Sequence, residues 1–178
     1  MFDRLFHLFF PNRCIFCNAV IGAKGHCCDS CQELLPYAVG DRVCPRCGSD
    51  PCRCGQKLPA YDRAVSPFYY DLGAKNAILQ LKFHGRKSYA KGLAAEMYKK
   101  LLLEGALPEQ AVITAVPMLR KDEYARGYNQ AELLAKHLSK LAKIPYQKLL
   151  IKQRGTKKQH ELGFLERRKN LKNAFSLT

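Results

Sequence analysis

Eight of the nine cysteines lie in two compact clusters within the first third of the chain. The first cluster has the spacing C-x2-C-x10-C-x2-C, and each C-x2-C pair can form a tight turn that directs two sulfurs at one ion. The second cluster starts in the same way but closes with the tighter pair Cys52-Arg53-Cys54. Four thiolates are the donor set of a structural zinc. The sequence therefore predicts two zinc ions, one held by Cys14, Cys17, Cys28 and Cys31 and the other by Cys44, Cys47, Cys52 and Cys54.

Three other interpretations of these cysteines remain open, and the first is that one or both sites have lost their metal. Each cluster could form two disulfide bridges, although the N-terminal residues lack the features of a cleavable signal sequence and C-x2-C pairs in cytosolic chains usually bind metal. The ninth cysteine, Cys27, and its neighbour His26 could each replace Cys28 as a ligand. The spacing favours Cys28, because it completes the C-x2-C pair with Cys31.

Length and composition indicate two domains. The chain has 178 residues, and residues 1–57 contain too few large apolar side chains to fold without metal. After residue 60 cysteine disappears, so we expect a zinc-binding domain over 1–57 and an α/β domain over 61–178. Phe2 to Phe10 form an apolar N-terminal segment too short to span a bilayer, which predicts a cytoplasmic protein, with contact to the inner face of the membrane as an alternative to packing on the protein itself.

The charge is unevenly distributed. The formal net charge is +15, and it falls to about +11 when each four-thiolate zinc site is counted as −2. Residues 112–178 hold fifteen basic and five acidic side chains, a formal charge of +10. A chain of this kind favours polyanionic partners, unless these residues are simply solvated helix faces.

The order of elements in the second domain is typical of an α/β fold. Residues 64–70 predict an edge strand, and two helices follow, the second starting at Ser88 and ending at Gly105. Residues 111–116 form an apolar run closed by Pro117; a charged loop, 118–127, and a helix, 129–142, come next. Ligands of such sheets bind beyond the carboxyl ends of the strands, so an anion would meet Arg120, Lys121, Arg126, Gly127 and Asn129, unless the loop is a plain exposed connection.

A second basic segment follows a predicted strand over 147–151. Residues 152–172 carry eight basic and two acidic side chains, interrupted by Gly155 and Gly163. We expect a mobile loop running into a helix and kept open by repulsion among its lysines. No histidine is assigned a catalytic role, because none has an evident carboxylate partner, and the catalytic residues are unknown.

Several motifs together resemble the ComF family of competence-associated, phosphoribosyltransferase-like proteins. They are the cysteine pairs, the stretch Leu81 to Arg86 (LKFHGR), Val116-Pro117 and, most specifically, Arg126 to Ala135 (RGYNQAELLA). Gln159, Leu162, Arg167 and Asn170 match the spacing of a later family stretch. The resemblance runs in order along almost the whole chain.

The resemblance implies a double zinc ribbon followed by a type I phosphoribosyltransferase-like domain with a parallel sheet and flanking helices. Relatives of that domain bind phosphoribosyl pyrophosphate (PRPP) with Mg²⁺. Residues 118–129 then correspond to the loop on the pyrophosphate side. Residues 152–172 correspond to the flexible loop over the site, with Lys157, Lys158 and Arg167 facing the ligand.

One family feature is missing from this sequence. The PRPP motif, an apolar strand ending in two acidic residues and a threonine- and glycine-rich turn, is expected after Phe175, but the sequence stops at Thr178. We therefore expect an incomplete transferase domain that is inactive alone. Three functions remain: a PRPP-binding protein of the DNA-uptake machinery that contacts single-stranded DNA, a non-catalytic zinc-ribbon module that binds nucleic acid, and an adaptor.

Overall fold

The computed structural model describes residues 11–22, 25–38, 43–55, 60–108, 110–157 and 159–178. The chain divides into two compact units, Met1–Leu107 and Pro108–Thr178. The division falls at residue 107 because the first helices after residue 60 pack with the cysteine-rich segment. The domain limits at residues 57 and 61 stay a prediction. The N-terminal apolar segment, Phe2 to Phe10, lies outside the described residues.

The core of the first unit joins the cysteine-rich segment to two helices. Helix α1 spans Asp29–Leu34, α2 spans Leu72–Phe83 and α3 spans Tyr89–Leu103. The last two confirm the predicted helices, but the Ser88 side chain makes no capping bond. Phe16 is buried against Phe68, with ring centroids 5.6 Å apart in an edge-on arrangement. The predicted strand over 64–70 is reduced to an isolated bridge between Tyr37 and Phe68.

The second unit contains a two-stranded antiparallel sheet, and the expected parallel sheet is not confirmed. Strand β1, Leu150–Lys152, pairs antiparallel with β2, Phe175–Leu177. Ile113 forms a parallel bridge with Tyr146, supported by hydrogen bonds of 2.9 Å from the Ile113 amide to the Pro145 carbonyl and from the Gln147 amide to the Ile113 carbonyl. In the part of the chain that the structure describes, this bridge is the whole of the parallel pairing.

The segment predicted as a charged loop contains a helix. Helix α4 spans Arg120–Arg126, and α5 spans Gln130–Ala142. Asp122 and Glu123 lie in the first turn of α4 and Arg126 in its last, which suits the helix dipole. Gly127 then ends the helix in the left-handed conformation, with φ of 81°. The prediction of a loop over 118–127 was wrong. It relied on the absence of an apolar periodicity, but the charges at the two helix ends and the glycine that ends the helix are enough to favour a short helix here.

The basic segment 152–172 folds back on itself. After β1 come a 3₁₀ turn, Gln159–Glu161, and helix α6, Phe164–Leu171, which leads into β2. The amide side chain of Asn170 accepts from the Lys157 backbone at 3.0 Å and donates to the Lys157 carbonyl at 2.9 Å. Where the sequence predicts an open loop, hydrogen bonds therefore close the segment. None of the helices within the described ranges has both the length and the apolar character needed to cross a membrane.

Candidate metal centres and basic face

The four sulfurs of the first predicted cluster converge on one point. The Sγ atoms of Cys14, Cys17, Cys28 and Cys31 lie within 4.8 Å of one another, and those of Cys17 and Cys28 are 3.6 Å apart. A tetrahedral zinc with Zn–S bonds of about 2.3 Å requires sulfurs about 3.8 Å apart. The geometry fits a structural zinc.

Both clusters begin with the same backbone turn. In the first, the Asn18 amide donates to the Cys14 carbonyl at 2.8 Å, and in the second the Gly48 amide donates to the Cys44 carbonyl at 2.9 Å. Asn18 and Gly48 occupy the same place in the turn and share a left-handed conformation, with φ of 65° and 66°. Only glycine fits at position 48, because a Cβ there would lie 2.7 Å from the Ala64 carbonyl oxygen.

The second cluster closes despite its tighter C-x-C pair. The sulfurs of Cys44 and Cys54 are 3.9 Å apart and those of Cys47 and Cys52 are 4.0 Å apart, all four within 4.8 Å. The spacing again fits tetrahedral coordination. The structure therefore brings together both predicted sets of four cysteines.

The electrostatics of the clusters favour a bound cation. A backbone N–H of Arg53, 3.5 Å from the sulfur, and one of Ser49 lower the pKa of Cys47 to about 6. Hydrogen bonding with Cys52, then burial and the other sulfurs, raises the pKa of Cys54 to about 12. Ionising all four thiols without a cation is costly, because the negative charge of each thiolate disfavours ionisation of its neighbours. A divalent metal removes that cost.

In the first cluster, too, backbone hydrogen bonds lower the pKa of one thiol while burial raises that of another. Burial opposes ionisation of Cys14, but backbone N–H groups of Cys17, Cys28 and Phe16 outweigh it and lower its pKa to about 6. Burial raises the pKa of Cys27 to about 12, and its thiol donates to the Cys28 carbonyl at 3.2 Å. The sulfur of Cys28, not that of Cys27, thus belongs to the four-sulfur group.

His26 has a carboxylate partner that sequence reasoning missed. Its Nε2 lies 2.7 Å from Oε1 of Glu96 on α3, and Lys99 donates to the same oxygen at 2.7 Å. Seventy residues separate His26 from Glu96, so no local pattern links them. The sequence did hold one signal that Glu96 is buried: it lies on the same helix face as Gly92 and Leu93, which are also buried.

Some of the predicted anion-binding residues around α4 are exposed, and others form hydrogen bonds within the protein. Arg120 and Lys121 are exposed. Asn129 is buried; its side chain accepts from the Ala131 amide at 3.0 Å and donates to the Val116 carbonyl at 3.2 Å. Arg126 is half-buried and donates to the side chains of Gln130 and Met118. Asn129, Arg126 and the turn at Gly127 thus hold the connection between α4 and α5 in place.

The second basic segment meets the first. A Cβ on Gly155 would lie 3.8 Å from Cδ1 of Leu119, the residue that precedes α4. Lys157, two residues further, is exposed, and Arg167 donates through Nε to the Leu162 carbonyl at 3.0 Å. Lys158 lies outside the described residues. The backbone at Gly155 thus lies close to the Leu119 side chain, so the second basic segment passes next to the start of α4.

The comparisons with known proteins agree with these features. Residues 5–64 match the double zinc ribbon domain. The chain is 34% identical over 186 residues to competence protein F of Haemophilus influenzae, covering 95% of this chain and 78% of the relative. It is 33% identical over 180 residues to DNA utilization protein YhgH of Salmonella typhi, covering 94% and 78%.

A third relative gives the same result. DNA utilization protein YhgH of Escherichia coli K12 is 31% identical over 182 residues, with 94% of this chain and 78% of the relative covered. No solved structure matches the chain. The resemblance expected from the cysteine pairs and the RGYNQAELLA stretch is confirmed: this chain is a member of the competence protein F and YhgH family, with a double zinc ribbon in its N-terminal third.

Proposed function

We propose that this protein acts in DNA uptake or utilization by binding phosphorylated ligands, PRPP with Mg²⁺ and single-stranded DNA, on the basic face of residues 108–178. The observation that supports the proposal is the approach of Gly155 to Leu119, where an added Cβ would lie 3.8 Å from Cδ1, because it brings the start of the second basic segment close to the start of α4. The relatives named for competence and for DNA utilization support the biological setting. The zinc ribbons serve as structural modules and as a second DNA contact.

The charges of this face support phosphate binding. Glu132 already pairs with Lys136 at 2.7 Å and Lys148 at 3.3 Å. Among the described residues, no carboxylate lies within ion-pair distance of Arg120, Lys121 or Lys157. Their charge is therefore available to phosphate oxygens, and release of condensed counterions would drive DNA binding.

The local topology supports the PRPP part of the proposal. The parallel bridge between Ile113 and Tyr146, with α5 between the two residues, is consistent with the strand–helix–strand crossover that the family resemblance implies. Helix α4 follows the bridge residue Ile113 in the chain, and α/β proteins bind ligands beyond the carboxyl ends of their strands. Cations there would stabilise a pyrophosphate group.

Magnesium would enter with the ligand. In the described part of the second unit, no group of three or more His, Cys, Asp or Glu side chains is placed to hold an ion. Mg²⁺ commonly keeps several waters and binds through substrate phosphates. We therefore assign Mg²⁺ to the PRPP complex rather than to a site of the protein's own.

The test compares two charge reversals of equal size. The variant Arg120→Glu/Lys121→Glu changes the proposed face, and Lys75→Glu/Lys91→Glu changes exposed lysines of the first unit. Calorimetry with Mg-PRPP and fluorescence anisotropy with a labelled dT oligomer, at several salt concentrations, measure binding. We expect the first variant to lose roughly tenfold or more in DNA affinity and to lower the salt slope by about two, because each phosphate contact contributes about one.

The outcomes separate the parts of the proposal. The control variant should bind both ligands within about twofold of the wild type, since Lys75 and Lys91 belong to neither of the proposed phosphate-binding segments. DNA binding without any PRPP binding would leave a zinc-ribbon nucleic-acid module as the function. A wild type that binds neither ligand at low salt would refute the proposal.

A further inference from the structure

Tyr124 is an aromatic residue with an unusual environment. Its side chain is 91% exposed, the largest value among the exposed large apolar side chains of the described residues. We propose that Tyr124 is a stacking platform for the bases of single-stranded DNA, flanked by Arg120 and Lys121, which contact the phosphate backbone. The inference rests on the DNA-binding part of the proposed function and names the residue on which the bases would stack.

The helix arranges these three side chains as a unit. Arg120 and Lys121 lie four and three positions before Tyr124, and residues at these spacings are neighbours on a helix surface. All three are exposed. Asp122, two positions from Tyr124, lies on the opposite side of the helix, and Glu123 is half-buried. The ring therefore has cations on its own side.

The platform is held by the chain around it. The Gly127 amide donates to the Glu123 carbonyl at 2.7 Å and to the Tyr124 carbonyl at 3.2 Å, which closes α4. The next residue, Tyr128, is buried. The backbone that carries the ring is therefore ordered, and a tyrosine has only two side-chain torsions to order on binding, which limits the entropic cost of a stacked complex.

The surroundings of Tyr124 favour a nucleic acid over an apolar partner. Its neighbours on the exposed side are Arg120, Lys121 and Ala125, whereas an apolar protein interface would need further large apolar groups. Gly155, in the basic segment after β1, lies close to Leu119, the residue that precedes α4. An exposed aromatic ring among basic side chains is the arrangement that binds single strands without sequence preference, because every base has a face to stack. The relatives named for DNA utilization favour DNA as the strand.

The experiment exploits the absence of tryptophan from the whole sequence. The variant Tyr124→Trp carries one indole at the platform, and Tyr70→Trp carries one at an exposed tyrosine of the first unit, beside Asp71. A dT oligomer should quench the fluorescence of the first and leave that of the second nearly unchanged. Inorganic polyphosphate, which has charge but no bases, should quench neither. Zinc content and circular dichroism establish that both variants are folded.

Affinity measurements provide the second readout. Anisotropy with the dT oligomer should show roughly fivefold to hundredfold weaker binding for Tyr124→Ala, the range typical of one lost stacking contact. Tyr124→Phe should retain the wild-type affinity, because the ring and not the hydroxyl makes the contact. If the wild type binds the oligomer but Tyr124→Ala binds equally well and Tyr124→Trp is not quenched, the stacking inference fails and the proposed function stands. A wild type that does not bind the oligomer overturns both.

Discussion

Nε2 of His26 lies 2.7 Å from Oε1 of Glu96, which joins the loop that carries the first zinc cluster to helix α3. Glu96 is only 4% exposed. Burial opposes its ionisation, but hydrogen bonds from His26 and Lys99 outweigh that effect and hold its pKa below the ordinary value. His26 is two residues from Cys28, so this contact fixes the position of a metal-binding loop against a helix.

Removal of the Glu96 carboxylate should destabilise the protein. We expect Glu96→Ala to lower the free energy of unfolding by about 2–3 kcal/mol, because it leaves the half-buried His26 without its partner. The exposed Glu33→Ala should change it by less than about 0.5 kcal/mol. Urea unfolding of the zinc-loaded proteins measures both, and equal effects would show that the His26 contact does not contribute to stability.

Gly92 on α3 makes room for the same loop. A Cβ at this position would lie 2.7 Å from Cβ of His26 and 2.8 Å from Cδ1 of Ile15. Gly92→Ala should therefore lower the melting temperature, with a cost of about 1–3 kcal/mol from overpacking that exceeds the gain of about 1 kcal/mol in helix propensity. Gly22→Ala is the control, since a Cβ there meets nothing within 4 Å. A stabilised Gly92→Ala would contradict the close packing.

The number of zinc ions bound by cysteine variants should show that Cys27, unlike the eight clustered cysteines, is not a ligand. Native mass spectrometry of Cys17→Ser or Cys47→Ser should show one zinc fewer than the wild type, because each variant removes one of four donors. Cys27→Ser should keep both ions. Chelation of the metal should unfold residues 11–55, since the binding free energy of a structural zinc is also folding free energy. Loss of a zinc in Cys27→Ser would show that it replaces Cys28.

Glu132 should make stability depend on pH. The Lys136 ammonium, together with Lys148, holds the pKa of its carboxyl below the ordinary value. A carboxyl with a lowered folded-state pKa stabilises the fold above its unfolded pKa of about 4.3, and the contribution is lost as pH falls through the folded-state pKa. Glu132→Gln should thus cost about 1 kcal/mol at pH 7 and progressively less below about pH 4. Unfolding curves of both proteins across pH test this, and a difference that is constant with pH would exclude the ion pairs as its source.

Asn129 should be needed for the start of α5. Asn129→Ala removes the acceptor for the Ala131 and Glu132 amides and the donor to the Val116 carbonyl, at a cost of about 1–2 kcal/mol. Asn129→Asp keeps the cap but not the donor and should cost less. Thermal unfolding followed by circular dichroism measures both changes. Equal losses would indicate that the bond to Val116, not the cap, supports the helix.

The sequence by itself determined the features that depend on local spacing. Paired cysteines close enough in the chain to share an ion predicted both sulfur clusters, and apolar periodicity predicted α2, α3 and α5. The family, too, was evident from short ordered motifs. These features depend mainly on residues close together in the chain, so their spacing was enough to predict them.

Tertiary structure alone decided the contacts between residues far apart in the chain. The pairing of His26 with Glu96, the space at Gly92 and the meeting of Gly155 with Leu119 join segments that no local pattern links. The sheet illustrates the same limit: residues 147–151 predicted a strand, but pairing of β1 with β2 across 25 residues decided its bounds and antiparallel direction. Strand direction and side-chain partners depend on how the whole chain packs, whereas a metal knuckle or a helix depends on its own few residues.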